Sequence, residues 1–176
     1  MINLQLFAAG DAEVVQGKQI VYLYRLYSER ATAAGALLAF VTENENSASN
    51  DADSTATKDG AVRSPGVPEI EITSTSLLKA GDANIMKFKN ACKNGSLVEC
   101  WEANIADPAT TSGKYKGTYY QGYISEFTVS SNADGNAEVS ITFGANGKGA
   151  DGEVTVSSEQ IAEASYVFAD TPAVPV

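Results

Sequence analysis

The sequence predicts a mainly β fold, a β-sandwich or barrel with one flanking α-helix. Residues 115–144 contain two segments, each eight or more residues long, on either side of the polar turn NADGN. Further segments of alternating apolar and polar residues occur along the chain, whereas one segment has a clear helical periodicity. Alternation with a period of two is typical of half-buried strands, so a hairpin dominates the predicted sheet.

The second arm of this hairpin has the cleaner pattern. Val139, Ile141 and Phe143 alternate strictly with polar residues, while the first arm, KYKGTYYQGYISEFTVSS, alternates less regularly. One face of the pair should therefore pack in a core, and the other should meet solvent or a neighbouring molecule. Neither arm carries a catalytic motif, which favours a structural protein over an enzyme.

Other segments are assigned from the same kind of pattern. Residues 19–27 are apolar or aromatic on both alternating sides, so this strand should be covered on both faces. Further strands are predicted at 36–42, 69–76, 96–105 and 153–157, with a possible last strand at 165–169.

One segment has the start and stop signals of a helix. Asp82 is a suitable N-cap, Ile85, Phe88 and Cys92 share one face, and Gly95 is a natural stop. A second, shorter helix should follow Ser157, because Ser157 and Gln160 match a capping box.

The chain of 176 residues is most simply one domain, at 18–171, between an N-terminal arm (1–17) and a C-terminal tail (172–176). The stretch ENENSASNDADSTATKDGAV, residues 43–62, is rich in Asn, Ser, Asp and Thr. We predict it to be a long polar loop, either functional or ordered only on contact with a partner.

Charge and composition exclude several functions. The chain has 12 Lys and Arg and 22 Asp and Glu, which gives a net charge of −10. Residues 126–176 contain eight of the acids and one basic residue, Lys148. Such a surface should repel nucleic acid rather than bind it. The absence of His removes the usual triad and most zinc sites. Cys92 and Cys100 are expected to be reduced, buried thiols.

Three short motifs resemble known sites only in part. Residues 51–55 begin like a calcium loop, but Ala56 and Val62 stand where the loop needs Gly and Glu. Residues 144–149 lack the spacing of a phosphate loop. Glu69 and Glu71 share a strand face, as a glycosidase pair could, but an acidic sheet face explains them. We therefore expect no metal, cofactor or catalytic residue.

The N-terminus lacks the basic region of a signal peptide, and no run of 18 apolar residues could span a membrane. We therefore expect a protein that is made in a cytoplasm and stays soluble there. The eight tyrosines should divide between the core and a subunit contact, because tyrosine is favoured in both places.

Several longer segments carry a resemblance to a known family. DSTATKDG (53–60), LVECWEANI (97–105), YYQGYI (119–124) and FGANGKG (143–149) look like the major tail tube proteins of long, non-contractile tailed bacteriophages. The resemblance covers residues 18–171. It implies a β-sandwich or barrel built into hexameric rings, which stack around a tape measure protein and later conduct DNA during ejection.

The same resemblance implies a location in the virion, after assembly in the host cytoplasm, with tail terminator and distal tail proteins as further partners. DNA would pass without specific binding. The candidate inter-ring or inter-subunit contacts are Asp51, Asp53, Thr55, Lys58, Asp59, Tyr119, Tyr120 and Tyr123. The candidate lumen-facing acids are Glu126 and Glu138. The alternative is a monomeric β-sandwich binding or accessory module of the virion surface, which would leave the long polar stretch unexplained.

Overall fold

The computed structural model describes the backbone of residues 14–165 and the side chains of residues 14–162. Short 3-10 turns at Gly17–Gln19 and Tyr27–Glu29 flank the first strand. The strands are β1 (Ile20–Leu26), β2 (Ala36–Leu37), β3 (Val41–Thr57), β4 (Gly60–Leu77), β5 (Val98–Pro108), β6 (Lys114–Ser130), β7 (Glu138–Ala145) and β8 (Ala150–Thr155). The helices are α1 (Ala83–Asn94) and α2 (Ser158–Ser165).

All described strand pairs are antiparallel, in the order β2-β1-β5-β6-β7-β4-β3. The predicted hairpin is confirmed, because β7 pairs with the C-terminal half of β6 from Gly122 to Ser130. β8 pairs with the N-terminal half of β6, from Lys114 to Tyr119. β6 therefore joins two half-sheets, which are β2-β1-β5 with β8 on one side and β7-β4-β3 on the other.

Two clusters of apolar residues cover opposite faces of β1. Tyr22 and Tyr24 belong to the larger cluster, which α1 covers through Ile85 and Phe88. The far half-sheet contributes residues such as Phe143, which is fully buried. The smaller cluster contains Val21, Leu23, Ala103, Val154 and Val156, with Ile161 of α2 packed against it. This arrangement confirms that β1 is covered on both faces.

The helix signals are also confirmed. The Asp82 side chain accepts a hydrogen bond from the Asn84 backbone N–H at 2.8 Å, which satisfies one free donor of the first turn. Gly95 ends α1 in the left-handed conformation, at φ 60°, which glycine adopts without steric cost. At α2, Gln160 accepts from the Ser157 N–H at 2.9 Å, and Ser157 accepts from the Gln160 N–H at 3.2 Å.

The prediction of a long polar loop at 43–62 is wrong. These residues form most of β3, the turn after it and the start of β4, and they pair from Asn44 opposite Ser74 to Thr57 opposite Gly60, with one register shift between Asn50 and Ala52. The stretch is polar because solvent covers both sides of most of this strand pair, so its composition resembles that of a loop. The predicted strand at 36–42 is also interrupted, because Phe40 has φ 54° and separates β2 from β3.

Other expectations fall outside the described residues. These are most of the N-terminal arm, at 1–13, and the C-terminal tail at 172–176. The possible last strand at 165–169 lies there too, apart from Ser165, which ends α2.

Candidate functional site

The outer parts of β3 and β4 form an exposed two-stranded ribbon, residues 45–69. Every residue in this ribbon is exposed, and its tip is the turn at Lys58 and Asp59. A two-stranded ribbon that buries nothing is at best marginally stable in water. The ribbon is therefore the part of the molecule that would gain most from a partner. It places the predicted contact residues Asp51, Asp53, Thr55, Lys58 and Asp59 together.

A second feature is the solvent-facing side of β3, β4, β6 and β7, which we call the acidic face. In one row across the four strands, Glu126 pairs with Thr142, Thr142 with Thr73, and Thr73 with Glu45. The alternation of each strand adds Ser and Thr but no Lys or Arg. The acids that alternate onto this face are Glu43, Glu45, Glu69, Glu71, Glu126 and Glu138, all exposed.

Two hydroxyl groups of this face donate to neighbouring side chains of the face. Thr75 Oγ1 donates to Ser140 Oγ at 3.3 Å, and Thr128 Oγ1 donates to Glu126 Oε1 at 3.0 Å. A surface of carboxylates and mutually bonded hydroxyls repels phosphate groups and offers them no cationic partner. The predicted lumen acids Glu126 and Glu138 thus share one face with four acids that sequence reasoning had not grouped with them.

The three candidate tyrosines have different environments. Tyr123 lies on the acidic face opposite Gly144 and is 45% exposed, which suits a surface contact. Tyr119 is half-buried and donates to Glu99 Oε1 at 2.7 Å. Tyr120 is a core residue at 7% exposure, so its place among the candidate contacts is corrected.

Glu99 is the centre of a polar cluster on the β1–β5–β6 half-sheet. The Arg25 Nη2 atom lies 2.7 Å from Glu99 Oε2, and the Arg25 guanidinium stacks on the Trp101 ring at 4.9 Å. The hydrogen bond to Tyr119 completes the pairing of the carboxylate, because Tyr119 donates to its other oxygen. Burial is the main cause that raises the pKa of Tyr119, and the hydrogen bond to Glu99 raises it further. The hydrogen bond that Gln121 donates to the Tyr119 hydroxyl lowers this pKa. These contacts fix side chains within one subunit.

A separate network ties the base of the ribbon to the body. Glu102 Oε2 accepts from Tyr22 Oη at 2.9 Å and from Asn46 Nδ2 at 2.5 Å. Burial raises the Tyr22 pKa far above its usual value, and the charge of Glu102 adds to this effect. Sequence reasoning missed Glu102 and Asn46, because nothing local indicates that residues 56 positions apart will meet.

Within the described residues, no group of three or more His, Cys, Asp or Glu could hold a metal ion. The part of the chain that the structure covers also has no helix long and apolar enough to cross a membrane. An open cleft of about 430 Å³ lies between Trp101, Arg25 and Gln160, and Gln160 Nε2 donates to the Gly35 carbonyl across it at 2.9 Å.

Comparison with known protein families identifies the class of protein to which this fold belongs. Residues 14–151 match the family described as "Phage tail tube protein". The chain belongs to this family, and its role is structural, as a component of a phage tail tube. The resemblance of the chain to phage tail tube proteins is thereby confirmed.

Two proteins show the relationship in sequence. A putative tail protein of Staphylococcus phage phiMR25 is 28% identical over 156 residues, which are 86% of this chain and 80% of that protein. The tail tube protein gp17.1* of Bacillus phage SPP1 is 24% identical over 151 residues, or 86% of this chain and 56% of that protein.

Solved structures show the relationship in fold. The SPP1 tail tube matches with a TM-score of 0.71 at 19% identity, covering 90% of this chain and 88% of that chain. The tail of a gene transfer agent particle, refined with C6 symmetry, matches with a TM-score of 0.60 at 14% identity, covering 78% of this chain and 98% of that one.

Proposed function

We propose that six copies of this chain form a ring and that the rings stack into the tail tube through which DNA passes at ejection. The observation that carries the proposal is the exposed ribbon beside an acidic face without Lys or Arg, in a chain of the tail tube family. The C6 symmetry of the gene transfer agent tail, a protein of similar fold, supports six as the number. A ring that closes needs a heterologous contact between unlike patches of each copy.

The ribbon supplies contacts between copies. Its residues are exposed, so a neighbouring copy could bury the outer part of the ribbon, residues 49–67, without disturbing the core. Asp51, Asp53 and Thr55 alternate along β3, and Lys58 and Asp59 form the tip. Tyr119 lies on the body and is a further candidate for these contacts, whereas Tyr123 is a candidate contact on the acidic face.

The acidic face lines the lumen. Six copies at −10 give a formal charge of −60 per ring (6 × 10). Glu126 and Glu138 would place part of this charge along the path of the DNA, together with the other acids of the face. Repulsion between this wall and the phosphates lets DNA move without sticking, although salt shortens the range to about 8 Å at physiological ionic strength.

In the virion, the tube would enclose a tape measure protein and end at tail terminator and distal tail proteins. The location of the protein is then the tail of the particle, after assembly in the host cytoplasm. Co-purification with tails from lysed cells would test these partners together.

Tube formation by the purified chain tests the proposal. Electron microscopy and sedimentation should show tubes or rings as the protein concentration rises. A matched variant replaces residues 49–69 by an Asn-Gly turn, which closes the strand pair at Ala48 and Ile70. This variant should stay folded and monomeric. A wild-type chain that remains monomeric at every concentration would instead indicate an accessory module of the virion surface.

A further inference from the structure

Helix α1 is basic in an acidic protein. Its sequence, ANIMKFKNACKN, holds three lysines and no acid. Ile85, Phe88 and Ala91 face the core, and Lys87 pairs with Glu29 at 2.9 Å. The side of the helix away from the core carries the other two lysines.

One stripe of α1 lies away from the core, and three of its four residues are exposed while Lys89 is half-buried. Met86, Lys89, Asn90 and Lys93 recur at the spacing i, i+3, i+4, i+7, which places them on one side of the helix. Met86 is 55% exposed. Among the described residues, Lys89 and Lys93 make no ion pair or hydrogen bond through their side chains. This stripe is called the lysine stripe below.

The ribbon carries the complementary charge. Asp51 and Asp53 alternate onto one side of β3, both are exposed, and neither forms an ion pair within the described residues. The register shifts beside them, because the single residue Asp51 stands opposite two residues of β4, between Pro65 and Pro68. A bulge increases local twist, and two-stranded ribbons twist more than wide sheets. β3 keeps its own alternation, so Asp51 and Asp53 continue the side of Glu43 and Glu45, and we expect the twist of the ribbon to turn this side away from the acidic face of the body.

The two pairs of charges also match in spacing. Residues two apart on a strand are separated by about 6.8 Å along its axis. Residues four apart on a helix are separated by about 6 Å along the helix axis. Asp51 and Asp53 could therefore contact Lys93 and Lys89 at the same time, without bending either element. The Met86 side chain would add apolar contact with the ribbon.

We propose that the lysine stripe of α1 receives the ribbon of a neighbouring copy, with ion pairs from Asp51 and Asp53 to Lys89 and Lys93. Another copy is the natural occupant, because a tube presents the ribbon and the helix of every subunit to its neighbours. This inference rests on the proposed function and adds which surface the ribbon contacts.

Charge reversal and rescue test the pairing. Lys89→Glu/Lys93→Glu and Asp51→Lys/Asp53→Lys should each raise the critical concentration for tube formation about tenfold or more, which corresponds to ~1.4 kcal/mol. All four substitutions in one chain restore opposite charges and should return the critical concentration toward the wild-type value. Circular dichroism and thermal unfolding of the monomers check that each variant is folded.

The control variant is Lys18→Glu/Lys148→Glu, which changes the net charge equally at two exposed positions elsewhere. It should assemble within a few-fold of wild type. The pairing is overturned if the Lys89 and Lys93 variant assembles like this control, or if the fourfold variant is not rescued. A wild-type chain that never assembles overturns the proposed function as well, so the two failures differ in whether wild-type tubes form.

Discussion

Tyr24 on β1 donates a hydrogen bond to Ser74 on β4 at 2.8 Å, although these strands share no backbone ladder. Ser74 Oγ in turn donates to Asn44 Oδ1 at 2.6 Å, so Ser74 needs the Tyr24 hydroxyl as its donor. The Tyr24 ring also meets Phe88 and Phe143 edge-on, at 5.8 and 6.3 Å between centroids. The Tyr24 side chain thus contacts both half-sheets and α1.

Removing the Tyr24 hydroxyl should destabilise the monomer measurably. Tyr24→Phe leaves a buried Ser74 without its donor, which should lower the free energy of unfolding by about 1 kcal/mol. Tyr24→Ala also creates a cavity and should cost about 3–5 kcal/mol. Denaturant unfolding of the ribbon-shortened monomer measures both. Tyr123→Phe is the control, because Tyr123 is exposed, and a loss equal to that of Tyr24→Phe would contradict the assignment.

The buried tyrosines make stability fall at alkaline pH. Burial is the main cause that raises the pKa of both Tyr22 and Tyr24 in the folded chain. The unfolded chain loses these protons near pH 10, while the folded chain keeps them to higher pH. Their contribution is therefore complete below pH 10 and is lost as pH rises above it.

Unfolding at a series of pH values, with phenolate absorbance of the folded protein, measures this effect. Tyr22→Phe should make the alkaline loss of stability shallower than in wild type. Stability that is constant well above pH 10, or full phenolate absorbance before unfolding, would contradict the expected protonation.

Glu99 is a buried carboxylate, and among the described residues it is the one charged residue classed as buried. Glu99 is 5% exposed, and neutralising it leaves the mostly buried Arg25 guanidinium without its carboxylate partner, although Arg25 keeps its bond to the Ala33 carbonyl. Glu99→Gln should therefore lower the free energy of unfolding by about 3 kcal/mol. Asp107→Asn is the matched control, because the Lys116–Asp107 pair is exposed and should contribute less than about 1 kcal/mol. Equal effects in the two variants would show that burial does not matter here.

The sequence predicted those elements whose residues alternate against a core. The strict pattern of Val139, Ile141 and Phe143 identified β7, and Asp82 and Gly95 set the ends of α1. The ribbon could not be predicted in this way, because strands exposed on both sides carry no hydrophobic alternation. Position 40 was missed for a related reason, since a left-handed Phe has no sequence signal.

The acidic face was predictable only in part. Glu126 and Glu138 follow from the hairpin pattern, and Glu69 and Glu71 were already expected on one face of a strand. What joins them is the pairing of β4 with β7, which connects segments some 65 residues apart. A single sequence contains no local signal for such a pairing. The same limit applies to Tyr120, whose burial depends on the far half-sheet and α1.

The charge of the acidic face should control how DNA moves through the tube. Glu126→Lys/Glu138→Lys adds two cations per copy at a wall that otherwise has none, so phosphates could bind and release counterions. Phage particles built from this variant should eject DNA more slowly or retain it, with the delay shrinking as salt is added. Glu126→Gln/Glu138→Gln should have a smaller effect, because it removes repulsion without adding attraction.

Glu153→Lys/Glu159→Lys makes the same charge change on β8 and α2, away from this face, and particles with this control variant should eject DNA normally. Ejection measured by fluorescence of released DNA distinguishes these cases, and unchanged kinetics for the Glu126 and Glu138 reversal would place the lumen on another surface.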